Sequence, residues 1–263
     1  MQPGKQKVIN LKIMNQKVEV EPHTSLLDLA AKWEKKGQGP FLAAKYNGEL
    51  VDLYQEITKG GWVEFIGPQA PEWIRIYRQS LVFLLAQAVN DLFPQRKLKV
   101  QHSLGKSYYC EFKGMDYISP LDLMALEAKM REFVEAEEPI IPQDLSRETA
   151  LKILSTQGHL EKVTLLENLN WSPIRIYTSG SYSNYSYRLL APDTGKLKIF
   201  KLETYAKGFL LRFPVPTNLA EVAPNPNLPK LGQVFRESEE WVRILGVENL
   251  AGLYKRCKGK KAK

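Results

Sequence analysis

An α+β fold is predicted by two patterns in this sequence. Apolar residues alternate in strand fashion from about residue 7 to 67 around one helix, and beyond residue 72 helices with a single apolar stripe are interleaved with short strand-like runs. With 263 residues the chain can bury a substantial core and is expected to divide into two compact units plus an appendage. Its 44% hydrophobic and 25% charged residues are those of an ordinary water-soluble globular protein. No apolar run approaches the roughly 18 to 20 residues of a membrane span, and the start, Met1-Gln-Pro-Gly-Lys-Gln-Lys7, lacks the apolar core of a secretory signal. The expected location is the cytoplasm, with no membrane partner.

Val8, Leu11 and Ile13 alternate with polar residues, followed by Val18 and Val20, which is the period of a half-buried strand pair. Thr24-Ser25-Leu-Leu-Asp28 then opens a helix, with Thr24 or Ser25 suited to accept from its first free amides and Leu26, Leu27, Leu29, Ala30 and Trp33 supplying the buried face. Residues 43–46 meet Asn47-Gly48, the dipeptide favoured in two-residue hairpin turns, and 50–53 return. Lys59-Gly60-Gly61 turns the chain into a closing strand at 62–66, and Gly67-Pro68-Gln-Ala-Pro71 reads as a linker.

After the linker, Leu81, Leu84, Leu85, Ala88, Val89 and Leu92 recur at helical spacing. A strand is expected at 98–100, then a strand-like run from His102 to Phe112. A helix from Pro120 to about Glu137 has Leu121, Leu123, Met124, Leu126, Met130 and Phe133 as its apolar side. A short helical stretch is expected over 145–156 and a strand over 174–177. Ser179-Gly-Ser-Tyr-Ser-Asn-Tyr185 offers hydroxyls and aromatic rings suited to hydrogen bonding or stacking, or simply to packing. Past Phe213, Pro214, Pro216, Pro224, Pro226 and Pro229 predict an extended arm without ladder hydrogen bonds. Leu231, Val234, Phe235, Trp241, Val242 and Leu245 then fall on one face of an amphipathic helix that must be covered, by the second unit or by a partner.

Cys110 and Cys257 lie far apart, one in a strand-like run and one in a basic tail, so they form no disulfide framework, and Cys110 reads as a small buried apolar residue. Of the net charge of +8, the tail from Lys255 to Lys263 carries +6, which is read as a solvated end rather than a dedicated RNA contact. His23, His102 and His159 are read as surface or capping histidines.

The order of hairpin, helix, short strands and closing strand resembles the TGS domain, a β-grasp module, and the run Ala43-Ala-Lys-Tyr-Asn-Gly-Glu-Leu-Val-Asp-Leu53 carries most of that resemblance. The next part resembles the editing domain of threonyl-tRNA synthetase. That family carries a His-x-x-x-His pair on a helix and a Cys-x-x-x-His pair facing it. In this chain the helix reads Gln79-Ser-Leu-Val-Phe83, and the Pro192-Asp-Thr-Gly195 turn aligns Ser186 and Leu190 with the second pair. The resemblance thus implies a β-grasp (TGS) domain over 1–67, a two-layer α/β editing-like domain over 72–213 with its metal ligands lost, and over 214–263 a Pro-rich arm, amphipathic helix and basic tail. Gly208-Phe-Leu-Leu-Arg-Phe-Pro214 and Phe235-Arg-Glu-Ser-Glu-Glu-Trp241 resemble the amino-terminal half of bacterial uridine kinase-like nucleoside kinases more closely than a synthetase. In that group a P-loop kinase domain follows. This sequence contains no Gly-x-x-x-x-Gly-Lys-Ser/Thr, so the chain is expected to be either a piece of a longer kinase or a stand-alone protein of the same ancestry.

The function so implied is a non-catalytic regulatory or ligand- and RNA-binding region, with no cofactor, no metal and no catalytic residue. An aminoacyl-tRNA editing-type hydrolase or a purely structural, dimerising module are the alternatives. The expected partners are RNA or a nucleotide, a kinase domain in cis or in trans, and a second copy of the chain. The expected binding residues line a cleft between the helix at Gln79 and the strand at Ser186: Gln79, Phe83, Tyr108, Tyr185, Ser186 and Lys201. That cleft either holds a planar ligand stacked on a ring, with Lys201 near a phosphate, or is packed shut.

Overall fold

A computed structural model describes residues 8 to 222 apart from positions 36, 38, 116, 170, 216 and 217. The amphipathic helix expected at 231–245, the basic tail, Cys257 and the prolines from Pro224 onward lie outside the described residues.

The amino-terminal part builds a five-stranded mixed sheet in the order β2-β1-β5-β3-β4, from β1 (Ile9–Ile13), β2 (Gln16–Val20), β3 (Ala43–Tyr46), β4 (Glu49–Val51) and β5 (Gly61–Ile66). β1 runs antiparallel to β2 and parallel to β5, which needs a crossover, and helix α1 (Leu26–Glu34) supplies it. Ser25 is the cap of α1, its Oγ accepting from the Asp28 amide at 3.1 Å. Leu26, Leu29, Ala30 and Trp33 pack on Leu11, Ile13, Ile57 and Phe65, with Leu27 only half-buried at the margin. Asn47 and Gly48 both have positive φ, 52° and 91°, as a hairpin turn matched to the strand twist requires. Val8, expected to lead the first strand, is exposed and precedes it.

Helix α2 (Pro71–Leu92) begins ten residues before the apolar stripe that predicts it, with Trp73, Ile74, Ile76 and Tyr77 also buried. Strands β6 (Leu98–Leu104) and β7 (Ser107–Phe112) follow, then α3 (Pro120–Ala136), β8 (Ile141–Leu145), α4 (Arg147–Thr156) and α5 (Leu160–Glu167). β9 (Ile174–Ser179), β10 (Tyr182–Tyr185), a short 3-10 turn at Thr194–Lys196, β11 (Lys201–Tyr205), β12 (Gly208–Arg212), β13 (Pro214–Val215) and β14 (Asn218–Val222) complete the described chain.

These strands form a four-stranded sheet, β11-β12-β7-β6, a three-stranded sheet, β10-β9-β8, and the β13-β14 pair, not one sheet backed by helices. α2 lies between the two larger sheets. Leu81, Leu84, Leu85 and Ala88 pack with Cys110, Phe112, Phe209 and Leu211, while Phe83 packs with Tyr177 and Tyr182. A helix clamped on two sides is buried over more of its circumference than a surface helix, and Ser80 and Gln87 are buried with the apolar residues of α2. Ile174 and Ile176, on the opposite face of β9 from Tyr177, pack with Ala150, Leu154 and Leu166 of α4 and α5.

Two expectations need correction, one helix holds with its start moved by two residues, and one helix is added. Leu121 and Met124 of α3 are 77% and 68% exposed, because the buried stripe is Leu123, Leu126, Met130 and Phe133, and positions 121 and 124 sit off its edge. The helix expected over 145–156 begins at Arg147 behind the Ser146 cap, and Leu145 ends a strand. α5 was not foreseen, being only eight residues between Gly158 and Asn168. The arm past Phe213 makes ladder bonds after all, since Pro214 and Val215 pair antiparallel with Val222 and Asn218. Proline is tolerated there because the pair is short and all edge.

The two parts are joined by shared core and by polar contacts. Leu42, Ala43 and Ile66 belong to the same buried cluster as α2 and α3. Trp73 Nε1 donates to Pro40 O at 2.9 Å, Tyr54 Oη to Pro192 O at 2.9 Å, and Lys196 pairs with Glu34 at 2.6 Å. Arg175 bridges Asp52 at 3.1 Å and Asp144 at 2.6 Å.

Candidate functional site

α2 and the segment after β10 do face each other. The Ala191 amide donates to Ser80 Oγ at 2.7 Å, and Phe83 and Leu190, 4% and 1% exposed, belong to one cluster with Ile140, Tyr177 and Tyr182. The Phe83 ring meets Tyr182 edge-on at 5.2 Å between centroids. Two of the four positions aligned with the editing family's ligands are thus in one apolar core. Gln79 is half-buried one turn earlier on α2. Ser186 is buried, and its hydroxyl is committed to the chain, donating to Arg188 O at 2.8 Å and accepting from the Arg188 amide at 3.3 Å.

Gln, Phe, Ser and Leu do not supply the nitrogen and thiolate donors that a tetrahedral zinc site takes, so these residues do not fit the family's metal. Among the described residues no group of three or more His, Cys, Asp or Glu is placed to hold a metal ion.

The six sequence-predicted residues are not brought into one cleft. Tyr185 and Ser186 line an open cleft of about 670 Å³ that also takes in Glu72, Arg75 and Ile76 of α2, Leu50 of β4, and Trp171, Arg175 and Tyr177. Gln79, Phe83, Tyr108 and Lys201 do not line it. Tyr108 stands on β7 with its ring 5.1 Å from Phe213, and burial raises its hydroxyl pKa. Lys201 is exposed at the start of β11, opposite Arg212. Register explains the split: residues 108 and 201 belong to the four-stranded sheet, and 185 and 186 to the end of the three-stranded one.

Lys162 of α5, which the sequence reading does not single out, is the unusual group beside this scaffold. Its Nζ donates to Asn184 Oδ1 at 2.7 Å and to Tyr185 O at 3.0 Å. No carboxylate pairs with it among the described residues, and burial of the amine lowers its pKa to about 8. His159, just before α5, packs edge-on against Tyr182 at 5.6 Å; burial and the Lys162 charge lower its pKa to about 4, so it is neutral at physiological pH. His23 is exposed and pairs with Glu56 at 2.7 Å, while His102 is half-buried against Tyr109. The signal that could have found Lys162 is a lone lysine inside Leu160-Glu-Lys-Val-Thr-Leu-Leu166, visible only once that stretch is known to be helical.

No protein-family model matches the chain. Over 193 residues it is 32% identical to the threonine–tRNA ligase of Pelobacter propionicus, covering 73% of this chain and 30% of that protein. Over 169 residues it is 34% identical to that of Symbiobacterium thermophilum, covering 64% and 26%, and over 204 residues 31% identical to that of Carboxydothermus hydrogenoformans, covering 77% and 32%. The chain spans about 30% of the length of the curated relatives it matches. These homologues are on the synthetase side of the resemblance, and none of them is a nucleoside kinase. No described helix is long and apolar enough to cross a membrane.

Proposed function

We propose that this chain is a tRNA-engaging region of editing-domain descent, related to the amino-terminal TGS and editing domains of threonyl-tRNA synthetase. The observation that carries the reading is the similarity to threonine–tRNA ligases, which at 204 residues for the Carboxydothermus hydrogenoformans protein is longer than everything that follows residue 67 and so reaches into the first part as well. Three features support it. The strand order β2-β1-β5-β3-β4 with one crossover helix is that of a β-grasp module. α2 and the segment carrying Ser186 and Leu190 face each other through Ser80. The body and tail together carry a net positive charge, which favours association with a polyanion. On this reading the domains fall at 1–67 and 72–213, and the nucleoside-kinase resemblance is not carried forward.

Ester cleavage by metal-activated water is not part of the proposal, because the four aligned positions lack metal-binding donors and Phe83 and Leu190 fill the space between them. A second reading, deacylation of an aminoacyl ester without a metal, is favoured by the similarity to threonine–tRNA ligases. Lys162 is not a base for it, since its amine is buried against Asn184 and Tyr185 and does not line the cleft.

One experiment separates the two. The protein is incubated with tRNA carrying a labelled 3′-aminoacyl ester, and retention on a filter and loss of the ester are measured together. Retention without ester loss above the uncatalysed rate is expected. Ester loss above the uncatalysed rate that a chelator leaves unchanged would replace the first reading by the second, and absence of both retention and ester loss would remove both.

A further inference from the structure

The open cleft at the seam between the two parts has walls of a kind the candidate site above does not use. Tyr187 and Trp171 line it and are 69% and 52% exposed, and both would ordinarily be buried in a water-soluble protein. Two cations line it as well. Arg75, on the first turns of α2, and Arg188 are exposed and make no ion pair among the described residues; Glu72, which also lines the cleft, is paired with Lys45 at 3.0 Å and feels the Arg75 charge, and Arg175 is held by Asp52 and Asp144. The Arg188 guanidinium lies 5.1 Å from the centre of the Tyr187 ring, over its face.

The segment that presents Tyr187 and Arg188 is held at both ends. Lys162 ties down Asn184 and the Tyr185 carbonyl, and the Ser186 hydroxyl closes a turn on Arg188 through its amide and carbonyl. A ring and a guanidinium fixed this way lose little further freedom on binding.

We propose that this cleft binds a nucleotide, either free or as an unpaired residue of single-stranded RNA, with its base stacked on Trp171 or Tyr187 and its phosphate on Arg75 and Arg188. Stacking on an aromatic face accepts any base, and a guanidinium outside any ion pair, as Arg188 is beside Tyr187, is the complement of a phosphate, so the pairing of the two groups selects a nucleotide over an apolar ligand or a bare anion. The proposal extends the RNA-binding reading above to a place that reading does not name, and each can fail without the other.

The test titrates the full 263-residue protein with adenosine monophosphate and with a short unstructured oligoadenylate, following tryptophan fluorescence and anisotropy of labelled ligand. Both ligands, or the oligonucleotide alone, are expected to quench the fluorescence, and the quench is expected to be lost in Trp171→Ala. Affinity should fall about tenfold or more in Arg188→Ala and in Tyr187→Ala, as removal of one stacking or phosphate contact implies. All three side chains are exposed, so the variants fold, which circular dichroism checks; Lys17→Ala, on exposed β2, is the unchanged control. Binding that survives Trp171→Ala and Arg188→Ala within about twofold overturns the cleft while leaving RNA binding elsewhere intact. Failure of both ligands to bind at millimolar concentration overturns it outright. Mononucleotide binding that the variants abolish, in a protein that does not retain tRNA, upholds the cleft and removes the tRNA reading instead.

Discussion

Lys162→Met should change the sign of its effect on stability with pH. In the folded protein burial lowers the Lys162 pKa from 10.5 to about 8. Between those values the folded protein holds the amine neutral while the unfolded chain holds it protonated, so the unfolded state binds more protons and stability rises with pH across that window. The shift corresponds to roughly 3 kcal/mol, all of it present above pH 10.5 and lost by pH 8. Methionine removes that term but takes away one donor each from Asn184 Oδ1, which keeps the Tyr185 amide at 2.9 Å, and from Tyr185 O, at about 1 kcal/mol per lost bond. The balance predicts a variant about 1 kcal/mol more stable than the parent at pH 7 and about 2 kcal/mol less stable at pH 10.5. Urea unfolding of both proteins, followed by circular dichroism at steps across this range, gives the difference curve, and taking the difference cancels the tyrosines and other lysines that titrate at high pH. A flat difference curve, or a variant that is destabilised equally at every pH, would refute the assignment of a charged, desolvated amine.

The remaining predictions concern packing. Phe83→Ala should destabilise by about 3 to 5 kcal/mol, since Phe83 fills the space between Tyr182, Tyr177 and Leu190 and the sheet behind it cannot collapse onto α2; a loss below about 1 kcal/mol in denaturant unfolding would mean that the core there is loose. Gly208→Ala should destabilise on the order of 3 kcal/mol, because its Cβ would stand 2.0 Å from the Cys110 carbonyl oxygen within the β12-β7 ladder, where backbone and not a flexible side chain must yield; a melting temperature within a degree of the parent would contradict that close approach.

Much of the fold was legible because local signals agreed with tertiary context. Asn47-Gly48 named its own turn, Ser25 and Ser119 mark the starts of α1 and α3, and each side chain accepts from the amide three residues on. The failures have particular causes. Leu121 and Met124 count as apolar in any periodicity, yet only neighbouring elements decide which edge of a helical stripe is covered. Placing Tyr108, Lys201, Tyr185 and Ser186 in one cleft rested on the resemblance, which puts the helix at Gln79 opposite the strand at Ser186. Whether strands far apart in sequence share a ladder is fixed by long-range pairing, and here residues 108 and 201 joined one sheet and 185 another. Arg75, Trp171 and Arg188 were passed over because none stands in a motif; they converge only through the contact of β4, α2 and the end of β10.

That convergence gives a physical reason for a lysine that lowers stability at neutral pH. A neutral glutamine could fill the same place in α5, but its shorter side chain carries an acceptor as well as donors, whereas the Lys162 ammonium offers only donors, and the two groups it meets, Asn184 Oδ1 and Tyr185 O, are both acceptors. Asn184 is fixed in turn, its amide donating to Tyr182 Oη at 2.5 Å, and Tyr182 is packed against Phe83. The segment that begins at Tyr185 therefore starts from the apolar core that occupies the aligned metal-ligand positions, by way of Tyr182, Asn184 and Lys162. Replacing Phe83 should then loosen not only α2 but also the presentation of Tyr187 and Arg188 at the cleft, and the two sites would weaken together.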